Sequence, residues 1–536
     1  MTSTETLTGG SFLFNEVGSG RVMAPEAFTE EQRMFLKTAL QFVKETVLPH
    51  ATRIENKDFP LLRELIGKAG ELGLLAIDIP EAFGGLSLDK TTSMLVTEAQ
   101  SLLGSWSVSF GGHVGIGTLP IAWFGNPAQK AKYLPKLATG EWVAAYALTE
   151  TGSGSDALGA RTKAVLSQDG THYVLNGSKQ FITNAGFADV FVVFAKVDGD
   201  KFTGFIVDRT TPGLTVGPEE HKMGLRGSST CPLIFEDAKV PVGNVLGEIG
   251  KGHKIAFNIL NMGRLKLGAG VIGAMKMQTA NALEYSRDRK QFATPVLRFP
   301  LIREKLAKMA TAIYALESMT YRTSGLIDAR LAGEDKSASD YEQKTIAAIE
   351  EFAIEASIMK VAGSEALGAV IDEALQIHGG YGYIEEYPVE RAYRDQRVNR
   401  IFEGTNEINR MLITGMLLKR AMKGQVPLLE FAQTVVDELA SDALPRLREG
   451  ERLAEEALLA EHLKRLAVYT LKVAVETYGP EIEQHQAVLA SVADIVMDAF
   501  ALDSMIARTR QYASGGELDP VRVALVQLYA WDAQAR

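Results

Sequence analysis

Residues 189–194 read Asp-Val-Phe-Val-Val-Phe, a short β-branched and aromatic run that is typical of a buried strand. A second such run follows at 202–207, and Asp-Gly-Asp at 198–200 links the two. Upstream, 173–177 reads Tyr-Val-Leu-Asn-Gly, and its Asn-Gly pair predicts a hairpin because both residues tolerate positive φ. These patterns predict a compact all-β module between 143 and 245.

Helical patterning flanks this module on both sides. From 29 to 140, breakers separate several helices, and Thr29 before two glutamates predicts a helix N-cap. Helices return at about Ile255, and a polar loop at 333–339 separates two of them. The plan of the chain is therefore helical, β, helical and again helical.

Two apolar stripes at helical spacing support this plan in the second half of the chain. Ile354, Ile358 and Val361 mark one helix face, and Leu459, Leu463 and Leu466 mark another in the region beyond Val426. A length of 536 residues agrees with several domains, since about 150 residues is typical of one.

Composition excludes several classes of protein. The net charge of −10 argues against a nucleic-acid role, which depends on neutralising phosphates. The only cysteine, Cys231, excludes a disulfide framework, and the eight histidines show no ligand spacing, so no metal site is expected. The first ten residues lack a signal or transit pattern, which predicts a soluble, cytoplasmic protein.

Two glycine-rich segments are candidate ligand sites. Residues 146–156 read Tyr-Ala-Leu-Thr-Glu-Thr-Gly-Ser-Gly-Ser-Asp, in which glycines allow close approach and hydroxyls offer hydrogen bonds. This segment matches neither a P-loop nor a dinucleotide fingerprint, and a plain Gly/Ser turn is the alternative. In 375–382 an apolar helix ends at a glycine cluster, which alone is a C-cap, and His378 is expected to be structural.

Two further segments carry charge beside apolar surface. Residues 287–292, Arg-Asp-Arg-Lys-Gln-Phe, suit phosphate binding, although a solvated helix end explains them equally simply. In 401–407, Ile-Phe-Glu-Gly-Thr-Asn-Glu, Glu403 follows two apolar residues. Burial raises a carboxyl pKa towards the range of a general base. The alternative is an N-cap acid ahead of the next helix.

Taken together and in this order, the four segments resemble the acyl-CoA dehydrogenase family over about 29–415. Asn-Met-Gly-Arg at 261–264 and the long helical tail are similar to its very-long-chain branch. The resemblance implies an α+β multidomain fold. Its parts are an N-terminal extension (1–28), an N-terminal α-helical domain (29–145), a middle β-barrel-like domain (146–254), a C-terminal four-helix bundle (255–424) and an extra C-terminal helical domain (425–536).

The resemblance implies FAD held across a subunit interface. The flavin and its ribityl chain would contact Tyr146, Leu148, Thr149, Gly154 and Ser155, with Ser155 also near the CoA moiety, and Phe181, Ile182 and Thr183 would lie beside the isoalloxazine. The pyrophosphate and adenine end of a neighbouring subunit's FAD would contact Arg289, Phe292, Gln376, Gly379 and Gly380, and Thr405 and Glu407 would complete that site. Family members commonly have Trp at the position of Phe181.

Glu403 matches the family's base, which removes the α-proton of an acyl-CoA before a hydride passes from the β-carbon to the flavin, giving trans-2-enoyl-CoA. Some members carry the base just before Arg264, but Gly263 stands there and has no side chain to serve. By analogy the carbonyl oxygen receives hydrogen bonds from the Glu403 amide and a ribityl hydroxyl. The acyl-CoA would also lie near Asn261, Arg264, Phe402 and Gly404; the alternative for Arg264 is a buried ion pair.

The resemblance leaves the substrate and the partners less defined. Small residues in 105–117 match the floor of the family's acyl tunnel and favour medium-to-long straight chains, with close helix packing as the alternative. Electron-transfer flavoprotein is the implied acceptor; an acyl-CoA oxidase would use oxygen instead, and a scaffold protein would be inactive. A homodimer is expected, with a tetramer as the alternative. Residues 425–536 hold ten basic and 18 acidic residues, so membrane contact is expected to be peripheral at most.

Overall fold

The computed structural model describes residues 8–448, 450–513 and 517–536. The segment 1–7, in which we expect no targeting signal, lies outside the described residues, as do four positions of the tail. Across the described residues the chain has an N-terminal helical domain, a middle β domain, a C-terminal helical domain and an extra C-terminal helical domain, as the sequence predicts.

Seven helices form the N-terminal domain. The Thr29 side chain accepts a hydrogen bond from the Gln32 amide at 3.1 Å, which confirms the predicted N-cap. The stretch from 99 to 129, which contains no Asp, Glu, Lys or Arg, folds as short helices with a π-helical turn at Gly112–Gly117. The helices are α1 (Glu30–Phe42), α2 (Ala51–Glu55), α3 (Phe59–Glu71), α4 (Lys90–Gln100), α5 (Gly104–Gly111), α6 (Leu119–Phe124) and α7 (Pro127–Thr139).

One sheet makes up the middle domain. Its strands are β1 (Ala144–Ala147), β2 (Lys163–Leu166), β3 (His172–Thr183), β4 (Val190–Val197), β5 (Lys201–Asp208), β6 (Leu214–Val216), β7 (Thr230–Pro241) and β8 (Val245–Leu246). They pair in the order β6-β7-β3-β2-β4-β5-β8, and β1 runs parallel to β4. The predicted strand pair around 198–200 is confirmed as β4 and β5.

The hairpin predicted at Asn176–Gly177 is wrong. Strand β3 continues through both residues, and its register against β7 shifts there in a β-bulge. A β-carbon on Gly177 would lie 2.8 Å from the Cα of Thr162, so the glycine permits close strand packing. The turn into β3 instead contains Gly170, whose φ is 68°.

Four long helices pack side by side in the C-terminal domain: α8, α9, α11 and α13. Ile354, Ile358 and Val361 are fully buried on α11, which confirms the predicted apolar face. The elements are α8 (Gly252–Asp288), β9 (Lys290–Gln291), β10 (Thr294–Pro295), α9 (Pro300–Leu331), α10 (Tyr341–Glu351), α11 (Ala353–His378), α12 (Pro388–Gln396) and α13 (Asn406–Met422).

The extra domain consists of α14 (Leu428–Ala440), α15 (Ala454–Tyr478), α16 (Gln486–Gln511) and α17 (Pro520–Ala535). The N-terminal extension packs against it. The Phe12 ring lies 4.5 Å from the Phe500 ring, and the Gly18 amide donates to the Asp503 carboxylate at 2.6 Å. The described part of the extension is therefore a strap across the extra domain.

Buried charges join the domains. Lys276 of α8 pairs with Glu98 of α4 at 2.7 Å and also with Glu317 of α9. Glu317 pairs with Arg508 of α16 at 3.0 Å, and Arg508 pairs with Glu26 of the extension at 2.9 Å. Since removing one partner of a buried pair leaves an uncompensated charge, this chain of pairs fixes how the domains sit together. No helix in the described parts of the chain is long and apolar enough to span a membrane.

We expect Phe12→Ala to loosen the extra domain. Phe12 is 3% exposed, and truncating a buried Phe typically costs about 3–5 kcal/mol, so α16 should exchange its amide hydrogens faster. The matched control is Leu429→Ala, because Leu429 is 70% exposed on α14 and its truncation should change little. Unchanged protection of α16 in Phe12→Ala would contradict the role of the strap.

Candidate active site

Glu403 lies on the loop that precedes α13, and this loop has an unusual backbone. Glu403 has a φ of 57° and Gly404 a φ of 81°. Asn409 holds the loop from inside the helix: its Nδ2 lies 2.9 Å from the Gly404 carbonyl oxygen and 3.0 Å from that of Thr405. Arg264 Nε donates to the Glu403 carbonyl oxygen at 3.2 Å. Such contacts keep a left-handed non-glycine residue in place.

The Glu403 carboxylate packs against the backbone of Gly263. A β-carbon built on Gly263 would lie 2.6 Å from Glu403 Oε2, so any side chain there would compete with the carboxylate for space. Oε2 is buried and has no hydrogen-bond partner in the described structure. Burial raises the pKa of Glu403 to about 7, although the charges of Arg264 and Lys360 oppose this shift.

The N-cap alternative for Glu403 is wrong. Thr405 caps α13, with its hydroxyl accepting from the Ile408 amide at 3.3 Å. Glu407 lies exposed in the first turn, where hydrogen bonds from its own backbone amide and from Thr405 lower its carboxyl pKa. The Glu403 side chain therefore takes no part in capping α13.

Arg264 is buried beside the Glu403 loop and is 7% exposed. Its guanidinium donates to Asn261 Oδ1 at 3.0 Å as well as to the Glu403 carbonyl. Its hydrogen bonds thus go to an amide and a carbonyl oxygen, so the alternative of a buried ion pair is not the contact that forms. Desolvation lowers the pKa of Arg264, and the Glu403 charge opposes that.

Lys360 was not among the residues predicted from sequence, yet it lies under the same loop. Its side chain is fully buried on α11, and Nζ donates to Asn406 Oδ1 at 2.6 Å. Burial lowers the pKa of Lys360 to about 8, and the charges of Glu403 and Glu407 oppose this shift. The available signal was a lysine that interrupts an apolar stretch, Ile-Met-Lys-Val-Ala at 358–362.

The β domain supplies the opposite side of the site. Tyr146 of β1 is buried, and its hydroxyl has no hydrogen-bond partner in the described structure. Burial raises the Tyr146 pKa well above its usual value, and the charge of Glu403 adds to the effect. The Glu403 charge is therefore close enough to Tyr146 to affect the ionisation of its hydroxyl.

The glycine-rich segment after β1 is held by a buried ion pair. Glu150 accepts from Lys179 Nζ at 2.7 Å and from the backbone amide of Arg161 at 2.6 Å. Lys179 also donates to the carbonyl oxygen of Leu148 at 3.2 Å. Glu150 and Ser153 close a tight turn between them through two backbone hydrogen bonds, at 2.9 and 3.1 Å. A β-carbon on Gly154 would meet no atom within 4 Å, so the backbone beyond this turn is open to a ligand.

The segment 181–183 is joined to this loop, because the Gln180 amide donates to the Thr149 carbonyl at 2.8 Å. Phe181 has a φ of 59° and is 62% exposed, whereas Ile182 is buried in the sheet. Thr183 packs near the start of the π-helical turn, 3.1 Å from a β-carbon built on Gly112. A large ring held outward by strained backbone suits contact with a flat ligand.

Most of the second predicted cofactor set lies elsewhere. Arg289 follows the end of α8, and the 25 residues of helix from Arg264 to Asp288 span about 36 Å. There the guanidinium of Arg289 lies 5.6 Å from the centre of the Tyr381 ring, and Phe292 is 90% exposed. Gln376, Gly379 and Gly380 of the same set are also exposed. The structure therefore keeps Arg289 and Phe292 away from Glu403, whereas Thr405 and Glu407, the last two members, lie beside it at the start of α13.

His378 is structural, as predicted: its Nδ1 lies 2.7 Å from the Ala374 carbonyl oxygen, and its ring stacks on Tyr285 at 4.3 Å.

The small residues of 105–117 have two kinds of surroundings. A β-carbon on Gly117 would lie 2.8 Å from the Ala144 Cβ, which is close packing, whereas one on Gly111 would meet nothing within 4 Å.

We expect Gly263→Ala to displace the Glu403 carboxylate, because the new methyl group would occupy its position. A crystal structure should show the carboxylate moved. The matched control on the same helix is Gly270→Ala, whose β-carbon would meet Thr97 Cγ2 at an ordinary 3.5 Å and leave Glu403 in place. An unmoved carboxylate in Gly263→Ala would contradict this reading of the site.

Most of the chain matches known protein families. The description "Acyl-CoA dehydrogenase, N-terminal domain" matches residues 29–141, and "Acyl-CoA dehydrogenase, middle domain" matches 145–238. Two distinct families, both described as "Acyl-CoA dehydrogenase, C-terminal domain", match 250–418 and 462–536. Together they include the Glu403 loop and most of the extra domain.

Individual proteins that are similar to this chain carry names of the same family. A probable acyl-CoA dehydrogenase of Bacillus subtilis (strain 168) is 50% identical over 530 residues, 98% of this chain and 89% of that protein. The human mitochondrial very long-chain specific acyl-CoA dehydrogenase is 37% identical over 521 residues, 92% of this chain and 77% of that protein. A crystal structure of Bacillus anthracis acyl-CoA dehydrogenase complexed with FAD has a TM-score of 0.96 at 48% identity, covering 98% of this chain and 90% of that one. The chain belongs to the acyl-CoA dehydrogenase family.

Proposed function

We propose that this protein dehydrogenates a fatty acyl-CoA thioester between its α and β carbons, giving trans-2-enoyl-CoA, with Glu403 as the base. The observation that carries the proposal is the environment of the Glu403 carboxylate. It packs on Gly263, its buried Oε2 makes no hydrogen bond among the described residues, and its pKa is about 7. The α-proton of a thioester is only weakly acidic, so its removal needs a base that is positioned and desolvated.

The family is one of FAD-dependent oxidoreductases, and the chain has the features that this cofactor needs. The unpartnered Tyr146 hydroxyl, the open Gly154 and the outward Phe181 ring offer a donor, backbone access and a flat surface. When bound, FAD supplies the acceptor for the hydride that leaves the β-carbon. In our proposal one subunit contributes Tyr146, Leu148, Thr149, Gly154, Ser155, Phe181, Ile182 and Thr183, and its partner contributes Arg289, Phe292, Gln376, Gly379, Gly380, Thr405 and Glu407.

The residues of this chain act mainly on the proton. As the Cα–H bond breaks, Glu403 takes the proton, and the electron pair left behind forms the double bond while the β-hydrogen departs with its own pair. While the proton is leaving and before the hydride has gone, negative charge develops on the thioester oxygen. The backbone N–H of Glu403 donates to no acceptor among the described residues, so it is available to that oxygen.

Arg264 and its neighbours support the base and line the substrate side. Arg264 holds the Glu403 carbonyl and is itself held by Asn261. Phe402 and Gly404 flank Glu403, and we propose that all four lie near the bound acyl-CoA. We also propose that Ser155 lies near the CoA moiety as well as near the flavin.

We propose a medium-to-long straight acyl chain, since the space beside Gly111 agrees with an extended tunnel. The proposed electron acceptor is electron-transfer flavoprotein; an acyl-CoA oxidase, the main alternative, would reduce oxygen to hydrogen peroxide. We further propose a cytoplasmic homodimer. The dimer is supported by the separation along α8 of Arg289 from Arg264 and the Glu403 loop.

We expect Glu403→Gln to keep the yellow colour of bound FAD but to lose turnover by about 10²–10⁴-fold, the usual contribution of a positioned general base. The amide fills the same space and cannot accept the proton. The measurement is bleaching of the flavin spectrum on adding saturated acyl-CoA.

The matched control for this test is Glu430→Gln, since Glu430 is exposed on α14 and belongs to no proposed contact with FAD or substrate. It should bleach at nearly the rate of the unmodified protein if FAD is bound. Full bleaching by Glu403→Gln would remove Glu403 as the base.

The pH dependence of kcat/KM should report the Glu403 carboxyl. Only its ionised form is a base, so activity should rise with pH through about 7. Lys360→Gln keeps a donor for Asn406 but removes a charge that favours ionised Glu403, so the rise should move to higher pH and activity should fall more at pH 6.5 than at pH 8.5. Lys68→Gln, at an exposed pair on α3, should leave the profile unchanged. An unmoved profile in Lys360→Gln would contradict the electrostatic role of Lys360.

A further inference from the structure

A cavity of about 1200 Å³ lies between the C-terminal bundle and the extra domain. One wall is made by α9 and α11, where small residues such as Ala312, Ala315 and Ala366 leave space. The opposite wall includes Leu459 and Leu463 of α15, part of the apolar stripe seen in the sequence. The proposed reaction at Glu403 makes no use of this cavity.

The size of the cavity matters because protein interiors are normally close-packed. Pockets for small ligands commonly measure about 300–1,000 Å³, so this cavity exceeds what a single side chain would fill. Its walls come from helices that are otherwise well packed. On α9, for example, Ala315 and Leu316 are only 3% and 1% exposed. The space is therefore a property of how the two domains meet.

The lysine and the arginines that line the cavity are paired within the described residues. Arg410 donates to Glu365 and to Asp494, in both cases at 2.8 Å. Arg536 pairs with Asp498 at 2.6 Å. Arg465 and Lys308 are paired likewise, with Glu438 at 2.8 Å and Glu304 at 2.9 Å. An anionic headgroup would find each of these cations already neutralised.

One polar group of the wall has no partner. Thr311 is 4% exposed, lines the cavity, and its hydroxyl makes no hydrogen bond within the described residues. Ser318 and Thr323 on the same helix instead donate to backbone carbonyls one turn earlier, at 2.6 and 2.9 Å. A buried hydroxyl left without a partner is unfavourable, so a ligand oxygen that accepts its proton would be bound there.

From these contacts we infer that the cavity is a second ligand site, which takes an uncharged molecule with a long aliphatic chain and an oxygen that accepts a hydrogen bond from Thr311. A long-chain alcohol is the simplest member of this class. The apolar walls select the chain, the paired cations disfavour a carboxylate, and Thr311 selects the oxygen. This inference is independent of the reaction proposed at Glu403.

The test is calorimetric titration of the full-length, FAD-loaded protein with 1-decanol and, separately, with decanoate. We expect one decanol site per chain that Ala312→Trp abolishes, because the indole would fill the cavity beside Thr311. Thr311→Val keeps the shape and should weaken decanol binding about fivefold, and decanoate should bind at least tenfold more weakly than decanol. Ala524→Trp makes the same change on the exposed face of α17 and should bind as the unmodified protein does.

Circular dichroism and FAD content establish that each variant is folded without reference to activity. Equal decanol affinity in Ala312→Trp and Ala524→Trp would overturn the proposal, as would the absence of any decanol site. Decanoate binding as tightly as decanol would overturn the choice of an uncharged ligand. If Ala312→Trp fails to fold, Thr311→Val decides, and unchanged affinity in that variant would refute the site.

Discussion

The contact between the Glu403 carboxylate and the backbone of Gly263 is the constraint on which the candidate active site depends. Because residue 263 has no side chain, the carboxylate packs against its backbone, and Oε2 is shielded from water. Desolvation favours the neutral acid, the charges of Arg264 and Lys360 favour the anion, and the balance leaves a pKa of about 7. A carboxyl in that range can exist as a base at neutral pH and still hold the proton that it removes.

That contact needs a strained loop, which is held by residues both near to it and distant from it in the chain. Arg264 and Asn409 hold the carbonyls of the loop, and Lys360 holds Asn406 at its end. Asn406 in turn donates to Glu365 at 2.9 Å, and Glu365 shares Arg410 with Asp494 of α16. The extra domain, which carries most of the net negative charge of the chain, is thus connected to the support of Glu403.

The parts of the structure that depend on neighbouring residues were predictable from sequence. Thr29 caps its helix because the acceptor and the amide lie three residues apart, and the apolar neighbours of Glu403 already indicated burial of its carboxyl. Asn176–Gly177 misled because a local turn preference was overridden by sheet pairing, where the missing side chain serves close contact with Thr162. The roles of Asn409 and Lys360 depend on how helices rotate against one another, which one sequence does not specify.

The central claim is that Glu403 titrates near neutral pH in the folded, FAD-loaded protein. Infrared difference spectroscopy between the unmodified protein and Glu403→Gln isolates the carboxyl band of this residue, which can be followed from pH 5 to pH 9. The account predicts that the protonated band disappears with a midpoint near pH 7. A carboxylate that is already ionised at pH 5.5, as expected for the usual glutamate pKa of 4.5, would contradict it.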